Sequence, residues 1–133
     1  MKPLLIWAVG VVAAFGALTG VTAATRETEQ VLVVVDTSLQ MEDLVRRVPG
    51  ELDRIDDREY AEFALATAGR LSEVVHGYQS ELKLGPVQTF GACNFDDVGT
   101  FPAASTADEK ILITTSTNEC SLDDLDGWTI IEL

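Results

Sequence analysis

The run Val31-Leu32-Val33-Val34-Val35-Asp36 decides the fold. Five apolar residues follow one another, four of them β-branched, with no polar position to mark a solvent-facing side. Such a run reads as a strand buried on both faces, the environment found at the centre of a parallel sheet. Asp36 ends it abruptly. In open parallel sheets the groups that do chemistry or recognition gather where the strands end, so the residues after Val35 become the first place to look for a site.

Working outward, three further segments read as strands: Pro86 to Phe90, closed by Gly91; Lys110 to Thr114; and Trp128 to Leu133. Between the first and second of these four strands the pattern predicts the main helix. Asp56 followed by Glu59 resembles a capping box. Tyr60, Phe63, Ala64, Thr67, Leu71, Val74 and Val75 then recur at helical spacing, with Gly77 placed to end the helix, and this stripe reads as core packing. Leu39 to Val48 reads as a shorter helix or turn ended by Pro49-Gly50. Strands alternating with helical segments predict an α/β fold with a mainly parallel sheet.

The chain has 133 residues, 47% hydrophobic and 23% charged, enough for one domain with a modest core. Nine Lys and Arg stand against 22 Asp and Glu, a formal net charge of −13. That surface repels phosphates, so nucleic acid is excluded as a partner. The acidity reads first as a solvated face, and second as a surface that meets cations or a basic partner. One His and two Cys are too few for a structural zinc site of the usual Cys/His kind.

Between Lys2 and Arg26 no side chain is ionisable. The apolar stretch, including Leu4, Trp7, Phe15 and Leu18, suits a membrane-spanning helix, which needs ~20 apolar residues. It equally suits a cleaved signal peptide, with small residues around Val21-Thr22-Ala23-Ala24 for processing. In either case Lys2 stays on the cytoplasmic side and the remainder is exported, to the periplasm or the cell exterior. The expected organisation is a signal anchor or signal peptide over residues 1–25 and one extracytoplasmic domain over 26–133. Export puts Cys93 and Cys120 in an oxidising compartment, where a disulfide is expected, and no CxxC spacing suggests thiol exchange.

The strand ends carry oxygen-rich loops: Asp36-Thr37-Ser38-Leu39-Gln40-Met41, then Gly91-Ala92-Cys93-Asn94-Phe95-Asp96-Asp97, then Thr114-Thr115-Ser116-Thr117-Asn118-Glu119-Cys120. Carboxylate and hydroxyl oxygens are the donors that Mg²⁺ or Ca²⁺ takes. At these residues the chain resembles the von Willebrand factor type A family. VLVVVDTSLQM is similar to that family's first strand and its DxSxS metal-ion-dependent adhesion motif, with Asp36 and Ser38 matching and Gln40 in the place of the second Ser. VQTFGACNFDDV and ILITTSTNEC extend the likeness, with Thr115-Ser116 where the family has an Asp-Gly pair. The resemblance implies a short von Willebrand A-like (Rossmann-like) domain behind an N-terminal hydrophobic helix. It further implies that Asp36, Ser38 and Gln40 face a ligand, with Mg²⁺ or Ca²⁺ as the candidate cation. The two strands that precede the cysteines would then flank the first strand, and a Cys93–Cys120 bridge would arch over the end that bears Asp36.

Nothing points to an enzyme. The serines lack a histidine partner in any nucleophile motif, there is no GxSxG, P-loop or GxGxxG, and His76 reads as a helix-end residue. Against the family it resembles, the stretch from Pro102 to Glu109 is too short for the helical crossover often found there, and the sheet would normally continue past a fifth strand; the resemblance thus implies one thinly covered sheet face and an open edge strand over Trp128 to Leu133. The expected function is therefore a membrane-tethered, extracytoplasmic protein-binding module, with or without a cation. The alternative is a metal-free accessory subunit of a larger membrane complex; both imply a membrane-associated protein partner.

Overall fold

The computed structural model describes residues 27–116 and 120–133. Its framework is a five-stranded sheet in the order β3-β2-β1-β4-β5. The strands are β1 (Glu29–Asp36), β2 (Ala61–Ala68), β3 (Glu73–Gln79), β4 (Glu109–Thr114) and β5 (Trp128–Glu132). β1 lies in the middle and runs parallel to both neighbours, so that Val33 pairs with Leu65 on one side and Ile111 on the other. β5 extends the parallel set at one edge, while β3 closes the other edge antiparallel to β2. One α-helix, α1 (Val48–Asp56), is present among the described residues.

The apolar run behaves as its composition requires. Val31, Val33 and Val35 face α1 and pack with Phe63, Leu65, Ile111 and Ile113 from the neighbouring strands and with Met41, Val48, Leu52 and Ile55. Leu32 and Val34 face the other way, against Ala64, Ala66, Leu112, Phe95, Val98, Phe101 and Leu125. All five are at most 1% exposed. Each apolar side chain so buried stabilises the fold by about 1.5–3 kcal/mol relative to exposure.

Three expectations are corrected. The helix predicted over Asp56 to Gly77 is instead the end of α1, then β2, a tight turn and β3. Its apolar positions satisfy a helical period by coincidence. Phe63 and Leu65 belong to one face of β2 and Ala64, Ala66 and Ala68 to the other, each with its own core cluster. Leu71, Val74 and Val75, read as core, are exposed. Pro86 to Phe90 forms no strand, so the strands flanking β1 are β2 and β4. Lastly, Pro49-Gly50 does not end a helix. Leu39–Met41 and Val45–Arg47 are single 3-10 turns, and Pro49 sits in the first turn of α1, where its missing N–H costs nothing and its fixed φ suits the helix.

The face opposite α1 has no α-helical cover among the described residues, yet it is not bare. The connection from β3 to β4 contributes Phe95, Val98 and Phe101 through two 3-10 turns, and Leu125 closes the layer before β5. The alanines of β2 suit this arrangement, since irregular backbone lies closer to a sheet than helical side chains allow. β5 lies at one edge of this sheet. The hydrophobic segment with Leu4, Trp7, Phe15 and Leu18 falls outside the described residues. Among those described, no helix is long and apolar enough to cross a membrane.

At the amino end of the sheet Arg58, just after α1, forms an ion pair with Glu109 at the start of β4 and reaches Glu29 of β1 at 3.5 Å. The hydrogen bond from Arg58 holds the Glu109 carboxyl below the usual carboxylate range. A lowered carboxyl pKa stabilises the fold above the unfolded-state value of about 4.3, and that stabilisation is lost as the pH falls through the folded-state value. The pair is partly solvated, so its contribution is about 1 kcal/mol. Replacing Arg58→Met should therefore lower stability at pH 7 by about that much, and urea titrations should show the gap to wild type closing below pH ~4. An equal gap at pH 7 and pH 3 would show that the lost contacts are apolar ones.

Candidate functional site

The carboxyl end of β1 delivers Asp36 into a fully enclosed position. A buried carboxyl group needs hydrogen-bond donors, and two are supplied locally. The Ser38 backbone N–H donates to Oδ1 at 2.8 Å, closing a tight Asx-type turn. The Thr114 hydroxyl donates to Oδ2 at 2.8 Å from the end of β4. The parallel register explains the second contact: Val35 pairs with Ile113, so the next residue of each strand lies alongside.

The turn is also fixed from β2 and from the segment before the disulfide. Thr37 donates its N–H and its hydroxyl to the Ala68 carbonyl, at 2.7 and 3.2 Å. Its own carbonyl accepts from Phe90 N–H, and Leu39 N–H donates to the Gly91 carbonyl. Gly69 is obligatory here, because a Cβ would lie 2.7 Å from the Thr37 hydroxyl. Gly91 adopts φ +72°, and a Cβ there would also press on Arg70. Cys93 and Cys120 form the expected bridge, with Cα atoms 5.9 Å apart. It ties the segment that holds the Asp36 turn to the loop after β4.

Of the residues singled out in the sequence, Asp36 and Ser38 come together, both fully buried, whereas Gln40 is exposed on the 3-10 turn beyond them. The Ser38 hydroxyl has no hydrogen-bond partner among the described residues. Asp96 and Asp97 are exposed, and Glu119 lies outside the described residues. His76 is in the middle of β3, not at a helix end, with its ring against the Gly77 carbonyl at 2.8 Å. The role of Thr114 as the partner of Asp36 is not evident from the sequence alone; pairing the ends of VLVVVD and KILIT in parallel register would have exposed it.

These groups do not fit a divalent cation well. Hydroxyl and carboxyl oxygens are the right donor type, but Asp36 is the only acidic group in the turn, and both of its oxygens already accept protein hydrogen bonds. No group of three or more His, Cys, Asp or Glu able to hold a metal occurs among the described residues. Mg²⁺ in particular demands near-octahedral oxygen geometry and usually more than one carboxylate or phosphate. The arrangement serves instead as a structural clasp joining the ends of β1 and β4.

An open cleft of about 470 Å³ adjoins the clasp, lined by Thr37, Thr67, Leu71, Val75, Leu84 and Phe90 among others. Leu71 is 61% exposed, Phe90 44% and Val75 42%, and Leu39 on the neighbouring turn is 56% exposed. Several large apolar side chains thus stand exposed around this cleft and on the neighbouring turn.

Three outcomes are expected. Asp36→Ala leaves the Ser38 N–H and the Thr114 hydroxyl without their acceptor and should cost about 2–4 kcal/mol, whereas Asp36→Asn, which can accept from one and donate to the other, should cost about half as much or less. The thermal midpoints of wild type and Asp36→Asn should not respond to millimolar Mg²⁺ or Ca²⁺; a rise in wild type that Asp36→Asn abolishes would establish a cation site. Removing the bridge by Cys93→Ser with Cys120→Ser opens a loop of 27 residues, for a loss of about 3–4 kcal/mol in chemical denaturation.

Comparison of the chain with protein-family models, with curated proteins and with solved structures found no match.

Proposed function

We propose that this chain is an exported, membrane-tethered protein-binding module of von Willebrand A type that engages its partner with the carboxyl end of the sheet and without a cation. The observation that carries the reading is the exposed group Leu39, Leu71, Val75 and Phe90 beside the clasped Asp36 turn. Apolar area left in water at a rigid site favours association, and here the Asp36 turn and the Phe90–Gly91 segment are tied together by backbone hydrogen bonds. The surface needs little ordering on binding, which spares affinity. The central strand ending in an Asp-x-Ser turn supports the family likeness, and the apolar segment before Arg26 supports the tether.

The hydroxyls and the single carboxyl of the turn face inward, so the role assigned to Asp36 is to hold Thr37 and Leu39 in place beneath the contact surface. Binding energy then comes from Leu71, Phe90 and their neighbours, and the acidic surface steers a basic partner toward it. Leu71→Glu and Phe90→Glu change exposed side chains and should leave the thermal midpoint within about 2 °C of wild type. A photo-reactive residue at Val75 should crosslink to a discrete membrane-associated protein in cells, and either substitution should abolish that product. Crosslinking that persists in both variants would refute the assignment of this surface.

A further inference from the structure

We infer that β5 is a self-association edge: two copies of this chain join antiparallel through Trp128–Glu132, across a two-fold axis at Ile130. The inference is independent of the docking end proposed above and rests on the backbone and charge of a different edge.

The strand's hydrogen-bonding directions follow from its pairing with β4. Leu133 N–H donates to the Thr114 carbonyl, so Leu133 and, by alternation, Ile131 and Thr129 turn their backbone groups toward β4. Ile130 and Glu132 therefore direct N–H and C=O away from the sheet. Trp128 N–H is taken by the Leu125 carbonyl of its own turn, which leaves only the outward carbonyl of that residue. An antiparallel copy centred on Ile130 matches this set. Ile130 exchanges both bonds with Ile130 of the second copy, and each Glu132 N–H meets a Trp128 carbonyl. The Glu132 carbonyl, which lies opposite the Trp128 N–H already given to Leu125, stays in solvent at each end of the pairing.

The side chains agree with the same register. Trp128 and Ile130 lie on the face opposite α1, Ile131 on the α1 face, and all three are partly exposed. Edge strands in monomers are commonly protected by charge, proline or a bulge, and β5 carries a single charge, Glu132. The β3 edge is protected differently, with two register irregularities and Gly77. In the two-fold register Glu132 never faces its own copy. It stands across from Trp128 of the second copy, on the face where Lys110 lies 5.5 Å from the Trp128 ring. Lys110 and the opposing Glu132 are then two strand spacings apart, about 10 Å between Cα atoms, within reach of two extended side chains. Lys110 forms no ion pair among the described residues, so this arrangement supplies one. A second copy is thus favoured over an unrelated strand, because the charge complement is already encoded in the chain.

The test is sedimentation equilibrium of the full-length chain in 0.15 M salt, which screens the long-range repulsion between two acidic copies. Wild type should show a concentration-dependent monomer–dimer equilibrium. Ile130→Pro removes the outward N–H, along with a side chain that packs partly on the core, and should give a monomer with a closely similar circular dichroism spectrum. Should that variant fail to fold, charge reversal decides the matter: Lys110→Glu and Glu132→Lys should each weaken the dimer several-fold, and the double variant should restore it. Wild type that stays monomeric at 0.1 mM, or association indifferent to all of these changes, would overturn the inference.

Discussion

Everything in this fold depends on the burial of β1 on four sides. Its backbone is bonded to parallel neighbours on both edges, and its side chains are enclosed on both faces. A strand in that position must be apolar throughout, and whatever follows it emerges in the dry end of a sheet. Asp36 therefore cannot be left to water. It is satisfied by the next turn's backbone and by Thr114, and the neighbouring residues of the same turn, Thr37 and Leu39, bond the end of β2 and the segment before Cys93. Burial of the strand is thus the cause of the rigidity of the site, and that rigidity holds the apolar groups Leu39, Leu71 and Phe90 in fixed positions at the surface.

The parts of the fold legible in the sequence are those where composition leaves one answer. Val31–Val35 could only be a central strand, and the strands around Ile111 and Ile130 carry the same β-branched signature. The hairpin of β2 and β3 was not legible because β2 is buried on both faces and so lacks alternation. Its aromatic and aliphatic residues fall at spacings that a helix also satisfies. Gly69, with Ser72 three residues on, is the signal against a helix there, and its structural reason, close approach to Thr37, is visible only in three dimensions. Pro49-Gly50 was misleading because proline marks the start of a helix as readily as its end.

At the site, the sequence pointed to Asp36, Ser38 and the cysteine pair, and the structure brings the first two into one turn with the bridge attached to the adjoining segment. What it could not convey is direction. A motif read as a set of outward ligands has its carboxyl turned inward to Thr114, and Gln40 stands apart in solvent. The apolar rim was hidden for a related reason: Leu71 and Val75 look like core until the chain is seen to turn back at Gly69.

The central claim is that β1 is the innermost and most protected element of the molecule. Native-state amide hydrogen exchange tests it directly. The amides of Val31 to Val35 should exchange only through global unfolding, with those of β4 close behind and those of the edge strands β3 and β5 opening earlier. If the Val31–Val35 amides exchange by local opening, ahead of those in β5, the strand is not the centre of the sheet and the account of the site built on it is wrong.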